Sequence, residues 1–324
     1  SSASKQPDAA IHRDAPADVG EVIDGPVDSA IDAPPDAPPD APMGVGSHHH
    51  YVVNNMTWPE TSNDARAYAF DVDGNGTLDN QLGEVIASLF GAGFDIQTPT
   101  DQALARGTSI TLADLQTTDL TNATGAAFTL FVGTNANPTP CNGAGDVVCG
   151  HHLTGTASFD AAATPRDTPI VGTVVNGVYT AGPGHLTVPL YVVGPMPASI
   201  TLLAAHAKLS PSATGIMQGT IGGAISQADI DSKIYPAMQQ GFTTLIAKDC
   251  STLANPPTCG CTPNSPGARL ISLFDTTPDC AISLTEVKNN SLIMALFATD
   301  VTVENQPALS VGFAFTAVDA TFTP

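Results

Sequence analysis

From Tyr51 onward the chain is a succession of short β-type segments broken by turn signals, and this pattern limits its folds more than any other feature. The segments are YVVNNMTW (51–58), SITLADLQ (109–116), AAFTLFVG (126–133), LTGTASFD (153–160), PIVGTVVNGVYT (169–180), HLTVPLYVV (185–193), ASITLLAAHAKL (198–209) and ALSVGFAFTAVDATF (308–322). Their β-branched and aromatic residues suit a pleated, half-buried surface. Such strands need a second layer to bury them. The expected frame is therefore mainly β with inserted helices, a two-sheet β-sandwich or jelly roll. The most apolar stretch, 185–207, carries three prolines and predicts buried strands rather than a membrane span.

Helical spacing interrupts the β run. DNQLGEVIASLFGAG places Leu82, Val85, Ile86, Leu89 and Phe90 on one face. Residues 226–250 predict a longer helix with Ser226 as N-cap, and ARLISLF (268–274) and SLTEVKNNSLIMALF (283–297) predict two more. The Gly-rich MQGTIGGAIS (217–226) lacks the spacing of a phosphate loop and predicts tight strand packing.

Residues 1–46 differ from the rest. PVDSAIDAPPDAPPDAP repeats Asp every four residues, but its prolines forbid a helix, and like charges with proline predict a disordered, extended tether ahead of a 47–324 domain. The segment, starting SSASKQPDAA, resembles the tethers of secreted bacterial lipoproteins, although their anchoring Cys is absent here. The resemblance implies an extracellular or cell-envelope address at the outer surface, with peripheral membrane attachment through an N-terminal lipid. The whole chain carries 31 Asp+Glu against 10 Lys+Arg, a net charge of -21 that repels nucleic acid and attracts cations.

Six cysteines in such an acidic, Lys-poor chain predict disulfides in an oxidising compartment. Cys141 and Cys149 bound the short segment CNGAGDVVC and are the obvious pair. Cys250, Cys259, Cys261 and Cys280 allow three connectivities. A zinc site is the competing reading, but the CGC step at 259–261 is not the usual zinc knuckle.

Two loops carry the oxygen pattern of a calcium cage. In FDVDGNGTLDNQLG (70–83), Asp71, Asp73 and Asn75 fill positions 1, 3 and 5, and Gly76 gives the sharp sixth-position turn. Thr77 offers a backbone carbonyl, Leu78 is the apolar eighth residue expected to fix the loop, and Asp79 is the ninth. Position 12 is Leu82, not a carboxylate. This loop resembles the DxDGxGxxD calcium loops of secreted bacterial repeats. In DTTPDCAISLTE (275–286), Asp275, Thr277 and Asp279 take positions 1, 3 and 5. Ala281 supplies the seventh, Ser283 the ninth and Glu286 the twelfth. Together with its flanking helices this loop resembles an EF-hand, except that Cys280 stands where Gly permits a positive φ. The alternatives are an Asx/Gly turn for the first loop and a solvated helix–helix turn for the second.

HHH at 48–50 and HH at 151–152 are candidate transition-metal ligands, but the position of His48–His50 at the tether junction favours a flexible polar linker end. Trp58 and Tyr51 are candidates for a carbohydrate face, with burial as the alternative. No nucleophile elbow, P-loop or HExxH is present. These readings converge on a non-enzymatic, calcium-binding envelope module for a protein or glycan partner. The alternatives are an extracellular hydrolase with a dispersed active site and a structural subunit that self-assembles on the surface.

Overall fold

Alternating strands bury one face, and two arrangements satisfy that demand: two stacked sheets, or one sheet closed on itself. The computed structural model shows the second. It describes residues 44–91, 95–143, 145–190, 198–251, 255–256 and 259–324. Most of the expected tether lies outside the described residues. The strands are β1 (Ser47–Thr57), β2 (Thr111–Thr117), β3 (Ala123–Asn137), β4 (Ser158–Ala161), β5 (Ile170–Val175), β6 (Val178–Leu190), β7 (Ala198–Ser212), β8 (Gly215–Ser226), β9 (Val301–Val303) and β10 (Gln306–Asp319).

The strand order β1-β2-β3-β5-β6-β7-β8-β10 is antiparallel throughout, and β1 also pairs with β10. Eight strands thus close a barrel, and the sandwich or jelly-roll expectation is corrected. The physical reason is that both edges are consumed: β1 bonds β2 through Tyr51↔Ala113 and β10 through Met56↔Phe315. Bulges such as those between Val53 and Asn55 and between Thr124 and Ala126 bend the strands, as closure requires. Two short strands stay outside the ring, β4 on β3 and β9 on β10.

One face of every ring strand feeds a common interior. Cross-strand pairs carry it around the circle: Leu115↔Phe128, Val174↔Tyr179, Tyr179↔Leu209 and Ile221↔Phe313. All of these side chains are buried in a single core. Tyr51 and Tyr179 reach into it and bring their hydroxyls to backbone carbonyls, those of Ser212 and Ile170. Two smaller clusters lie on the outer wall. Val52, Leu112, Phe131 and Phe322 form one; Val72, Ala224, Val301 and Ala308 form the other.

The helices are α1 (Ser62–Ala67), α2 (Gln81–Gly91), α3 (Gln97–Arg106), α4 (Gln227–Asp229), α5 (Tyr235–Asp249), α6 (Pro266–Phe274), α7 (Leu284–Asn289) and α8 (Ser291–Leu296). A π-helical stretch, Ile230–Ile234, joins α4 to α5, and Ser226 caps the run by accepting from Asp229 N–H. Leu82, Ile86, Leu104, Ile234 and Met238 add their apolar faces to the main core. Trp58 is also buried there, donating to Thr100 Oγ1 at 3.1 Å. Tyr51 is likewise buried, so neither aromatic forms a surface face for sugar.

Three disulfides are present: Cys141–Cys149, Cys250–Cys261 and Cys259–Cys280. They fit an oxidising location, extracellular or in the cell envelope.

Candidate functional site

The loop between α1 and α2 is docked on the outer wall before it can hold anything. Phe70 and Asp79 form an antiparallel bridge, with Asp79 N–H donating to Phe70 C=O at 2.7 Å. Phe70 stacks on His206 of β7 with ring centroids 5.6 Å apart, and Val72 is buried in the outer cluster. Leu78, expected to fix the loop, is instead 62% exposed. Val72 performs that task from the second position, because the loop docks its side chain against Ala224 of β8 and Ala308 of β10.

Within the loop, Asp71, Asp73 and Asp79 bring carboxylate oxygens within 4.8 Å of one another. Asp71 Oδ2 accepts Gly76 N–H at 2.9 Å, and Gly76 has φ +88°, a conformation that favours glycine. Asp73 Oδ1 accepts Asn75 N–H at 3.1 Å, and Asn75 Oδ1 accepts Thr77 N–H at 2.7 Å. Asp79 Oδ2 accepts Val72 N–H at 3.0 Å. One atom is left over: Asp71 Oδ1 is buried and has no hydrogen-bond partner. Burial raises the Asp79 pKa from its ordinary value; the Val72 bond opposes this, and the charges of Asp73, Asp300 and Asp71 add to it.

Asn80, which the sequence did not single out, ties this loop to the barrel. Its buried amide donates to Ala65 C=O and Gly312 C=O and accepts from Gly83 N–H and Gly312 N–H. Next to it, Gln81 N–H donates to Ser310 Oγ of β10 at 2.7 Å. The start of α2 is therefore capped by the barrel wall as well as by its own residue.

The 275–286 loop is built differently. Asp275 Oδ1 and Oδ2 accept from the backbone of Asp279 and Cys280, and Asp279 Oδ1 accepts from Ala281 N–H. Glu286 spends both oxygens on protein donors: Oε1 on Thr276 N–H, Thr276 Oγ1 and Thr277 N–H, and Oε2 on Ser283 N–H and Oγ. With Ser283 it forms the capping box of α7. Desolvation disfavours its charge, yet the bonds from Ser283, Thr277 and Thr276 outweigh it and hold the carboxyl down at about 2. Asp275, Asp279 and Glu286 do not converge as the first loop's carboxylates do. Cys280 adopts φ +66°, and its disulfide to Cys259 anchors that turn. Thr277 N–H donates to Glu286, Ala281 N–H donates to Asp279, and Ser283 is the N-cap of α7.

No protein-family model, curated protein or solved structure matches the chain. The site's meaning rests on its own geometry.

The histidine segments resolve in opposite ways. His151 pairs with Asp146 at 3.0 Å, while His152 is fully buried edge-on to Phe159, so the two do not converge. His48 to His50 are not a linker end. They open β1, and His48 and His50, two residues apart, share one strand face. There they meet Asp114 of β2, a buried carboxylate within the segment SITLADLQ. The signal that would have found it is an acid between the apolar Ala113 and Leu115 of a strand segment.

Proposed function

We propose that this protein is an extracellular or envelope binding module whose barrel is stabilised by calcium held in the 71–79 loop, without catalytic activity of its own. The observation that carries this reading is the buried, unpartnered Asp71 Oδ1 where three carboxylates converge. A flexible cluster of hard oxygens with Asn75 and the Thr77 carbonyl beside it suits calcium better than magnesium, which demands a rigid octahedron. The loop joins the barrel through Phe70, Val72 and Asn80, so a bound ion would add to the stability of the whole domain by mass action.

One continuous apolar core lines the barrel interior, which supports a binding role on the outside over a polar substrate chamber within. Exposed apolar side chains on α6 and α8 suit a protein partner. Asn290 Nδ2 donates to Leu273 C=O, holding α8 beside the end of α6. Leu273 of α6 and Leu292 and Met294 of α8 are 55%, 49% and 56% exposed. The burial of Trp58 and Tyr51 removes the side chains that favoured a glycan. In this reading an N-terminal lipid and the acidic tether hold the barrel at the outer surface.

Calorimetric titration with calcium tests the proposal. Wild type should bind, Asp71→Ala and Asp73→Ala should lose the tightest site, and Glu286→Ala should retain it. Retention of that site in Asp71→Ala together with its loss in Glu286→Ala would transfer the role to the second loop. No calcium uptake by wild type would end the proposal.

A further inference from the structure

Separately from the calcium loop, we infer that His48, His50 and Asp114 form a binding site for a divalent first-row transition metal, zinc in the first instance, on the outer wall of the barrel. The strand geometry assembles it. His50 stands directly opposite Asp114 in the β1–β2 register, and His48, opposite Gln116, is the diagonal neighbour on the same face. The three side chains bring one ligand atom each within 4.8 Å of the others. His48 Nδ1 lies 2.8 Å from Asp114 Oδ2, and His50 Nε2 lies 3.6 Å from Asp114 Oδ1.

Two of those atoms are anomalous. His50 Nε2 and Asp114 Oδ1 are both buried, and neither has a hydrogen-bond partner. Asp114 is only 5% exposed. Leaving a carboxylate oxygen and an imidazole nitrogen buried and unpaired is expensive. In a tetrahedral site with metal–ligand bonds of about 2.0–2.1 Å, neighbouring ligand atoms lie roughly 3.3 Å apart. The 3.6 Å gap is thus too long for a good hydrogen bond and close to the edge of a metal's coordination shell. One ion satisfies both orphaned atoms, and a small rotation of His48 off its carboxylate bond completes the set.

Support comes from around the site. Phe322 stacks on the His50 imidazole with centroids 4.3 Å apart and fixes the ring plane. The His48 side chain is 47% exposed, which leaves the solvent side open for water as the fourth ligand. Two imidazoles with one carboxylate select zinc and its neighbours over calcium, which prefers oxygen donors alone. The competing view is a metal-free His–Asp–His cluster. That view explains the 2.8 Å contact but leaves the second carboxylate oxygen and His50 unsatisfied.

The test uses the full chain, stripped with chelator and titrated with cobalt(II) as a spectroscopic stand-in for zinc. Visible d–d bands should saturate at one equivalent and bleach when zinc is added. His48→Ala changes a half-exposed side chain and should keep the fold, while Asp114→Asn preserves shape. Each should weaken cobalt binding by more than about tenfold, since even outer partners of metal ligands contribute that much. Asp71→Ala and His151→Ala should leave the bands unchanged, which separates this site from the calcium loop and from the His151–Asp146 pair. Bands that persist at equal affinity in folded His48→Ala, or no bands in wild type at several equivalents, overturn the assignment.

Discussion

Replacing Asn80 by Ala should be among the most damaging single changes in the domain, although Asn80 ligates nothing. The residue is 6% exposed and its side chain makes four hydrogen bonds: to Ala65 C=O at 2.9 Å, Gly312 C=O at 3.1 Å, Gly83 N–H at 3.0 Å and Gly312 N–H at 2.7 Å. The partners belong to α1, α2 and β10, so one amide joins three elements. The site is also closed to rearrangement. A Cβ on Gly312 would lie 2.2 Å from Tyr68 C=O, so the strand backbone is held against the α1 end. A net loss of about 1 kcal/mol per bond, with part of the extra penalty for stranded backbone groups, gives roughly 3–5 kcal/mol. For a domain of this size that lowers Tm by roughly 6–15 °C. Calorimetric or circular-dichroism unfolding in excess chelator measures it without any contribution from metal. Asn75→Ala is the control: it is exposed and in the same loop, and under those conditions it should stay within about 0.5 kcal/mol of wild type. A loss below about 1 kcal/mol for Asn80→Ala, or losses equal for the two variants, would refute the view that Asn80 couples the loop to the barrel.

Glu286 gives an acid-range expectation. Its folded carboxyl is held at about 2, below the ordinary 4.5, so its stabilisation is complete above about pH 4.5 and disappears as pH falls through about 2. Urea midpoints of wild type and Glu286→Gln should therefore differ at pH 6 and converge between pH 4.5 and 2. A constant gap over that range contradicts the assignment. Replacing both Cys259 and Cys280 by Ser opens a link spanning a sequence separation of 21 and should cost about 3 kcal/mol by chain entropy. Hydrogen exchange should show the greatest loosening at 275–286, and uniform loosening across the barrel would count against the proposed role of the bridge.

Much of the fold was legible because alternation is written locally. The segment from Ala198 to Leu209 predicts β7, and Ser226 predicts the start of the helical run, from residue type and spacing alone. Barrel and sandwich share the same alternation. They differ in whether β1 meets β10, which no local pattern encodes. The same limit hid the metal candidate on the wall. His48 and His50 were visible, but Asp114 joins them only through the β1–β2 register. The loop at 71–79 was legible as oxygen spacing, whereas the work of Leu78 passed to Val72 because the barrel supplied a different surface to dock on. Glu286 was readable in another way: SLTE, from Ser283 to Glu286, is a capping-box signature, and that use competes for the same carboxylate.

The pairing of β1 with β10 also sets an order of events during synthesis. Thr316 Oγ1 donates to Asn54 Oδ1 across a separation of 262 residues. A chain that emerges N-terminus first can pair β1 with β2, and β2 with β3, long before β10 exists. Until then β1 presents one row of free N–H and C=O groups, an edge that invites a neighbouring nascent chain. Slow, non-local closure prolongs that exposure. Production of this protein should therefore be limited by association of unfinished chains. Conditions that shield β-edges during translation should raise its yield more than conditions that favour disulfide formation.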